Sequence, residues 1–174
     1  MIRILRPDLF LIYYEVLEGT AGSLSAYLQE KAKGEFSQFI GEPLPETHVQ
    51  PKGKPDFAGG DWHFSVSHSG PFFVMVFSRQ VVGVDTEPVN LPLHGEVAKR
   101  YFHPLEHALP FAFAWTAKEA VGKLTGEGIS AFRHIHSSRN SALLDGTVYT
   151  LLRQVEGEYL ITVALPIPEP IEEK

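Results

Sequence analysis

The sequence predicts an α+β fold, with two small lobes meeting near residue 90, approximately 1–89 and 90–174. Three observations carry this expectation. Periodic segments run in the order strand, helix, strand cluster, two helices and a closing hairpin. Apolar residues recur every second position in the strand segments and every third or fourth in the helical ones. With 44% apolar and 11% aromatic residues, the chain can bury a core of ordinary globular density.

Each element has a local reason. Leu9 to Leu17 is an aromatic-rich apolar run ending near Gly19, which predicts a strand. From Ser23 to Phe39 the spacing of Leu24, Tyr27, Leu28, Ala32, Phe36 and Phe39 predicts an amphipathic helix closed by Gly41. Residues 42–60 carry Pro43, Pro45, Pro51 and Pro55 and predict a surface loop. Trp62, Phe64 and Val66 alternate with His63, Ser65 and Ser67, giving a strand with one apolar face. After the turn Ser69-Gly70-Pro71, the unbroken run Phe72 to Phe77 predicts a central strand covered on both faces. Val81 to Glu87 follows and is stopped by Pro88. Helices are predicted near His94 to Phe102 and over Leu109 to Thr125, the second with a stripe of Phe113, Ala117, Ala120, Val121 and Leu124. Thr147 to Val155 and Glu158 to Leu165 read as a hairpin, and Pro166 to Lys174 as a frayed acidic tail.

Charge and composition narrow the function classes. Fifteen Lys and Arg against twenty-one Asp and Glu give a net charge of −6, which disfavours a polyanionic partner such as nucleic acid. A phosphorylated small ligand remains open, held by a local cluster. The absence of cysteine excludes disulfides, thiol catalysis and zinc–thiolate sites. No signal-peptide h-region opens the chain, and no window is apolar enough to span a bilayer. A soluble, cytoplasmic protein without a membrane partner is expected.

Four constellations could do chemistry. In Val84-Asp85-Thr86-Glu87 the two carboxylates share one strand face with Gly83, opposite Val82, Val84 and Thr86. Side-by-side carboxylates on a rigid strand suit Mg²⁺; the plainer reading is a solvated acidic strand end. Glu119 and Lys123 lie four apart on one helix face with Trp115 one turn earlier. They are either a surface ion pair or a metal ligand beside a phosphate or general-base partner. Ser65-Val66-Ser67-His68-Ser69-Gly70 offers hydroxyls, a histidine and free N–H groups to a phosphate, or simply caps a turn. A Ser–His hydrolase is the sharper rival there, but it lacks a GxSxG elbow and an orienting acid. Lys52 and Lys54 flank Gly53 in a proline-stiffened loop, as point charges for a phosphate or as ordinary solubility.

The order of these pieces carries a resemblance. Gly53-Lys54-Pro55, Phe64-Ser65-Val66-Ser67-His68-Ser69, Val82-Gly83-Val84-Asp85-Thr86-Glu87 and Trp115-Thr116-Ala117-Lys118-Glu119-Ala120-Val121-Gly122-Lys123 follow one another as in the surfactin-type (Sfp-type) 4′-phosphopantetheinyl transferases, which this chain resembles from about Gly53 to Ser130. Ala98-Lys99-Arg100-Tyr101-Phe102 with Glu106, and Gly126-Glu127-Gly128-Ile129-Ser130, fit the same pattern.

The resemblance implies two pseudo-symmetric lobes with coenzyme A in the cleft between them, and Mg²⁺ (or Mn²⁺) held by Asp85, Glu87 and Glu119. It implies that Lys123 contacts the pyrophosphate, that Ser67 and His68 hold phosphates of the nucleotide end, and that Lys54 holds the 3′-phosphate. Glu119 would activate the serine of an apo acyl or peptidyl carrier protein, with Glu106 assisting, and the enzyme would act as a monomer. Two departures stand out: Thr86 replaces a more usual aliphatic residue, and the N-terminal segment lacks the family's Arg-rich helix, leaving Lys31, Lys33 and Lys52 as substitutes. The rival readings are a silent coenzyme A- or nucleotide-binding relative, a magnesium-dependent phosphohydrolase, and an interaction module without chemistry.

Overall fold

The structure, a computed structural model, describes residues 2–167, so most of the tail expected to fray lies outside the described residues. Strands β1 (Ile2–Arg6) and β2 (Leu9–Glu15) form a hairpin and lead into helix α1 (Ser25–Ile40). A small hairpin of β3 (Thr47–Val49) and β4 (Pro55–Phe57) follows, then β5 (His63–Ser69), β6 (Phe72–Ser78) and β7 (Gly83–Pro88). Helix α2 (Gly95–Tyr101), a 3-10 turn (Pro104–Ala108), helix α3 (Phe111–Thr125) and a second 3-10 turn (Gly128–Ala131) come next. Strands β8 (His136–Ser137), β9 (Ser141–Leu144), β10 (Thr147–Glu156) and β11 (Tyr159–Pro166) close the chain.

The strands build two main antiparallel sheets, ordered β1-β2-β6-β5 and β7-β11-β10-β9-β8. Strand alternation then dictates a layered body. On β6, Phe73, Met75 and Phe77 pack with α1, while Phe72, Val74 and Val76 pack toward the second sheet. This is the doubly covered strand that its unbroken apolar run predicts. Between the sheets Leu9, Leu11 and Val76 meet Val84, Ile161 and Val163. The far face of the second sheet is covered by α3 through Ala117, Ala120 and Val121. The order of layers is therefore α1, first sheet, second sheet, α3. Phe36 anchors α1, stacked on Phe77 at 4.1 Å between ring centroids and edge-on to Trp62.

Four features differ from the sequence reading. β7 pairs with β11, so the break between the sheets falls between Ser78 and Gly83 and not near residue 90. The proline-rich 42–60 segment is not only a surface loop. Asp56, 1% exposed, accepts hydrogen bonds from Phe64 N and Gln50 Nε2, and so pins β4 against the body. α3 is buried nearly all round, down to Thr116 and Lys118, because it is wedged between the second sheet and the 128–137 segment. Short strands β1, β8 and β9 extend the sheets where little periodicity announces them.

Candidate active site

The site begins with a glycine. A Cβ on Gly83 would lie 1.9 Å from the Ala120 carbonyl oxygen and 2.7 Å from Leu124 N. Only glycine lets the start of β7 lie against the α3 backbone, the close approach for which a strand glycine is used. That contact sets the carboxylate-bearing face of β7 directly beside the last two turns of α3.

The alternation expected over 82–87 is present. Val84 enters the inter-sheet core, and the Thr86 hydroxyl donates to Leu160 O at 3.1 Å. On the other face Asp85 is 4% exposed. Its Oδ1 accepts from Ser67 Oγ at 2.7 Å and from Lys123 Nζ at 2.7 Å, whereas its Oδ2 is buried with no hydrogen-bond partner among the described residues. Lys123 Nζ also donates to Ser67 Oγ at 2.9 Å. β5 thus reaches β7 through a ladder of hydroxyls that share one face. Ser65 Oγ accepts from Val84 N, Ser67 binds Asp85, and Ser69 Oγ donates to Glu87 Oε2 at 2.7 Å. Ser65 and Ser69, expected only as part of a phosphate-binding or turn-capping segment, are members of this ladder; their period of two with Ser67 is the signal that places all three on one face.

Glu119 faces this group. Burial, and then the charge of Asp85 and more weakly that of Glu87, push its carboxyl up to about 7, with Lys123 opposing. Burial also raises Glu87; Ser69 and Lys123 pull it down and Asp85 adds to the rise. Three carboxylates therefore feel one another, with a single ammonium among them. Beside Lys123 opens a cleft of about 260 Å³ lined by Lys52, Lys54, Ser65 and the backbone of Gly122, Gly126 and Gly128. Lys54 is 8% exposed, its Nζ donates to Val82 O at 3.0 Å, and burial lowers its pKa. Lys52 Nζ is 3.2 Å from Glu127 Oε1. A cleft lined by lysine side chains and glycine backbone leaves room and positive charge for an anion.

Two expected members stand elsewhere. The exposed His68 ring lies on the opposite face of β5 against Gly22, where a Cβ would come within 3.1 Å of its Cε1. Glu106, 1% exposed, is bound behind α3: Oε2 lies 2.8 Å from Lys118 Nζ and accepts from His103 N, and Oε1 accepts from Ser137 N at 2.7 Å. Lys118, fully buried, also donates to Phe132 O at 3.1 Å and to Ile135 O. Of the proposed basic substitutes only Lys52 reaches the cleft. Lys33 pairs with Glu30 and Thr47, and Lys31 sits over the Tyr14 ring.

Among the described residues no group of three His, Asp or Glu side chains is drawn tightly enough to enclose a metal ion. Like charges stay apart, and Lys123 occupies Asp85. The donor set nevertheless fits a hard divalent cation. It has carboxylate oxygens only, one of them buried and unpartnered, and its charge exceeds what one ammonium neutralises.

Residues 81–164 match the family described as the 4′-phosphopantetheinyl transferase superfamily. The chain is similar to the 4′-phosphopantetheinyl transferase Sfp of Bacillus subtilis, 33% identical over 81 residues, covering 40% of this chain and 36% of that relative. It is 35% identical over 94 residues to another 4′-phosphopantetheinyl transferase of Bacillus subtilis, covering 47% and 42% of the two chains. It is 36% identical over 80 residues to the 4′-phosphopantetheinyl transferase psf-1 of Bacillus pumilus, covering 40% and 34%. In each case the match spans well under half of the relative's length. No helix among the described residues is long and apolar enough to cross a membrane.

Proposed function

We propose that this chain, whose residues 81–164 match the 4′-phosphopantetheinyl transferase superfamily, belongs to that superfamily and moves the 4′-phosphopantetheine arm of coenzyme A onto a serine of an apo carrier protein. The observation that most supports this reading is the meeting of Asp85, Glu87, Glu119 and Lys123 at the edge of a lysine-lined cleft. Coenzyme A presents a diphosphate and a 3′-phosphate, and such a cleft is suited to both.

In this mechanism Lys54, Lys52 and the Gly126–Gly128 backbone hold the nucleotide phosphates, and Lys123 turns to the diphosphate. Ser67 fixes the orientation of Asp85, and Ser69 that of Glu87. Mg²⁺, held by Asp85, Glu87 and Glu119, would neutralise charge on the diphosphate oxygens. Glu119, on α3 beside Lys123, is the group that accepts the proton of the incoming serine hydroxyl, directly or through water. The serine oxygen bonds to the β-phosphorus, the phosphoanhydride bond breaks, and adenosine 3′,5′-bisphosphate leaves. Catalysis then rests on positioning and electrostatics, without a covalent enzyme intermediate.

The test is incubation of the protein with coenzyme A, Mg²⁺ and an apo carrier, followed by mass spectrometry of the carrier. The expected result is the added arm on one serine, lost with a chelator and in Asp85→Ala. Hydrolysis of coenzyme A with an unmodified carrier would replace this reading by a phosphohydrolase, and binding without turnover by a silent relative.

A further inference from the structure

Asp85 already has a cation. Lys123 Nζ sits 2.7 Å from Asp85 Oδ1 and 2.9 Å from Ser67 Oγ, with Glu119 one turn earlier on the same helix face. The Lys123 side chain is 31% exposed and also lines the cleft, so the same ammonium stands between two partners. On one side are the carboxylates; on the other is the space lined by Lys52, Lys54 and glycine backbone, open to an anion. Its neighbours in the cleft are differently placed: Lys54 is tied to a backbone carbonyl, and Lys52 pairs with the exposed Glu127. Among the described residues only Lys123 bridges the acidic cluster and the cleft.

A dication approaching Asp85 must displace this ammonium or share Oδ1 with it, and at such distances like charges repel strongly. A diphosphate in the cleft offers the ammonium a second acceptor, and a flexible four-carbon stem lets it move there. We propose that Lys123 is an exchangeable counter-ion. It holds the place of a divalent cation at Asp85 until a diphosphate draws it away, so that metal and diphosphate favour each other's binding. The inference rests on the reading of Asp85, Glu87 and Glu119 as cation ligands given above. Linkage makes the effect reciprocal: whatever factor the diphosphate contributes to metal affinity, the metal returns to the diphosphate.

The experiment titrates Mn²⁺ alone into the full chain, read by electron paramagnetic resonance of the free ion, for wild type, Lys123→Met and Lys52→Ala. Removing the competing ammonium should tighten Mn²⁺ binding by about tenfold, the effect of losing one charge-assisted hydrogen bond from the competing state. Lys52→Ala removes a like charge from the same cleft without touching Asp85, and should stay within about twofold of wild type on the screening expected of an exposed charge. Coenzyme A affinity, measured by calorimetry with and without Mn²⁺, should gain from the metal more in wild type than in Lys123→Met. A Lys123→Met protein that binds Mn²⁺ no more tightly than wild type overturns the inference and leaves the metal reading standing. Equal tightening in Lys52→Ala overturns it in favour of a general field. Absence of Mn²⁺ binding to all three at millimolar concentration removes the metal reading and this inference together. Since Lys123→Met leaves the buried Asp85 carboxylate without its ammonium, thermal unfolding provides a second reading: its Tm should rise with Mn²⁺ more than that of the wild type.

Discussion

Lys118 and Glu119 are neighbours on α3 and have opposite electrostatic surroundings. Lys118 points behind the helix into a closed network, where Glu106, Phe132 O and Ile135 O take up its ammonium, and Ser137 and His103 occupy the rest of Glu106. Glu119 points forward toward Asp85 and Glu87, where burial and the neighbouring negative charges push its own carboxyl up to about 7. One flank is a satisfied buried pair, the kind that organises a fold; the other is under-neutralised, the kind that awaits a ligand. The contrast separates the two glutamates that the sequence offers as catalytic. Glu106 has no bonding capacity directed at the cleft, and Glu119 has little else to do.

The comparison can be broken at three points. The largest effect is expected for Glu106→Gln, which strands the Lys118 ammonium in the interior and should cost about 3–5 kcal/mol of stability in denaturant unfolding. Glu106→Gln with Lys118→Met should recover much of that loss. If Glu106→Gln instead unfolds normally and abolishes carrier modification, Glu106 belongs to the chemistry and the contrast fails.

Next comes Gly83→Ala. The new methyl meets backbone on α3 at 1.9 Å, so strand and helix must separate. A loss at or above about 3 kcal/mol is expected, the upper end for overpacking, because backbone cannot rotate away as a side chain can. Carrier modification should fall with it, since Lys123 and Glu119 ride on the displaced helix. A Gly83→Ala protein of wild-type stability and activity would show that the close approach does not set the site.

The smallest effect lies in pH. Glu119 titrates near 7 in the folded chain against an ordinary 4.5. Below about pH 4.5 both states keep the proton; as pH rises toward 7 the unfolded state alone releases it, so the ligand-free protein loses stability across that window. Glu119→Gln should remove this part of the slope and gain about 1–2 kcal/mol over wild type at pH 8, read by urea unfolding at pH 5 and pH 8. An unchanged slope would place the Glu119 carboxyl in water.

Directions within an element follow from backbone period, and they were legible. The two-residue repeat of 82–87 separates Asp85 and Glu87 from Val84 and Thr86, and the four-residue spacing on α3 puts Glu119 beside Lys123. The doubly covered β6, the helix stops at Gly41 and Gly126 and the β10–β11 hairpin follow equally from local pattern. Meetings between elements did not. Ser67 finds Asp85 across 18 residues and Lys123 across 56, and β7 leaves its sequence neighbours to pair with β11. Nor does helical period tell that Lys118 is buried while Lys123 is half-exposed, since each lies on a polar-looking face. Those outcomes depend on which surface covers α3, and that is decided by packing of the whole chain: long-range contacts are selected by shape and burial, which no local repeat encodes.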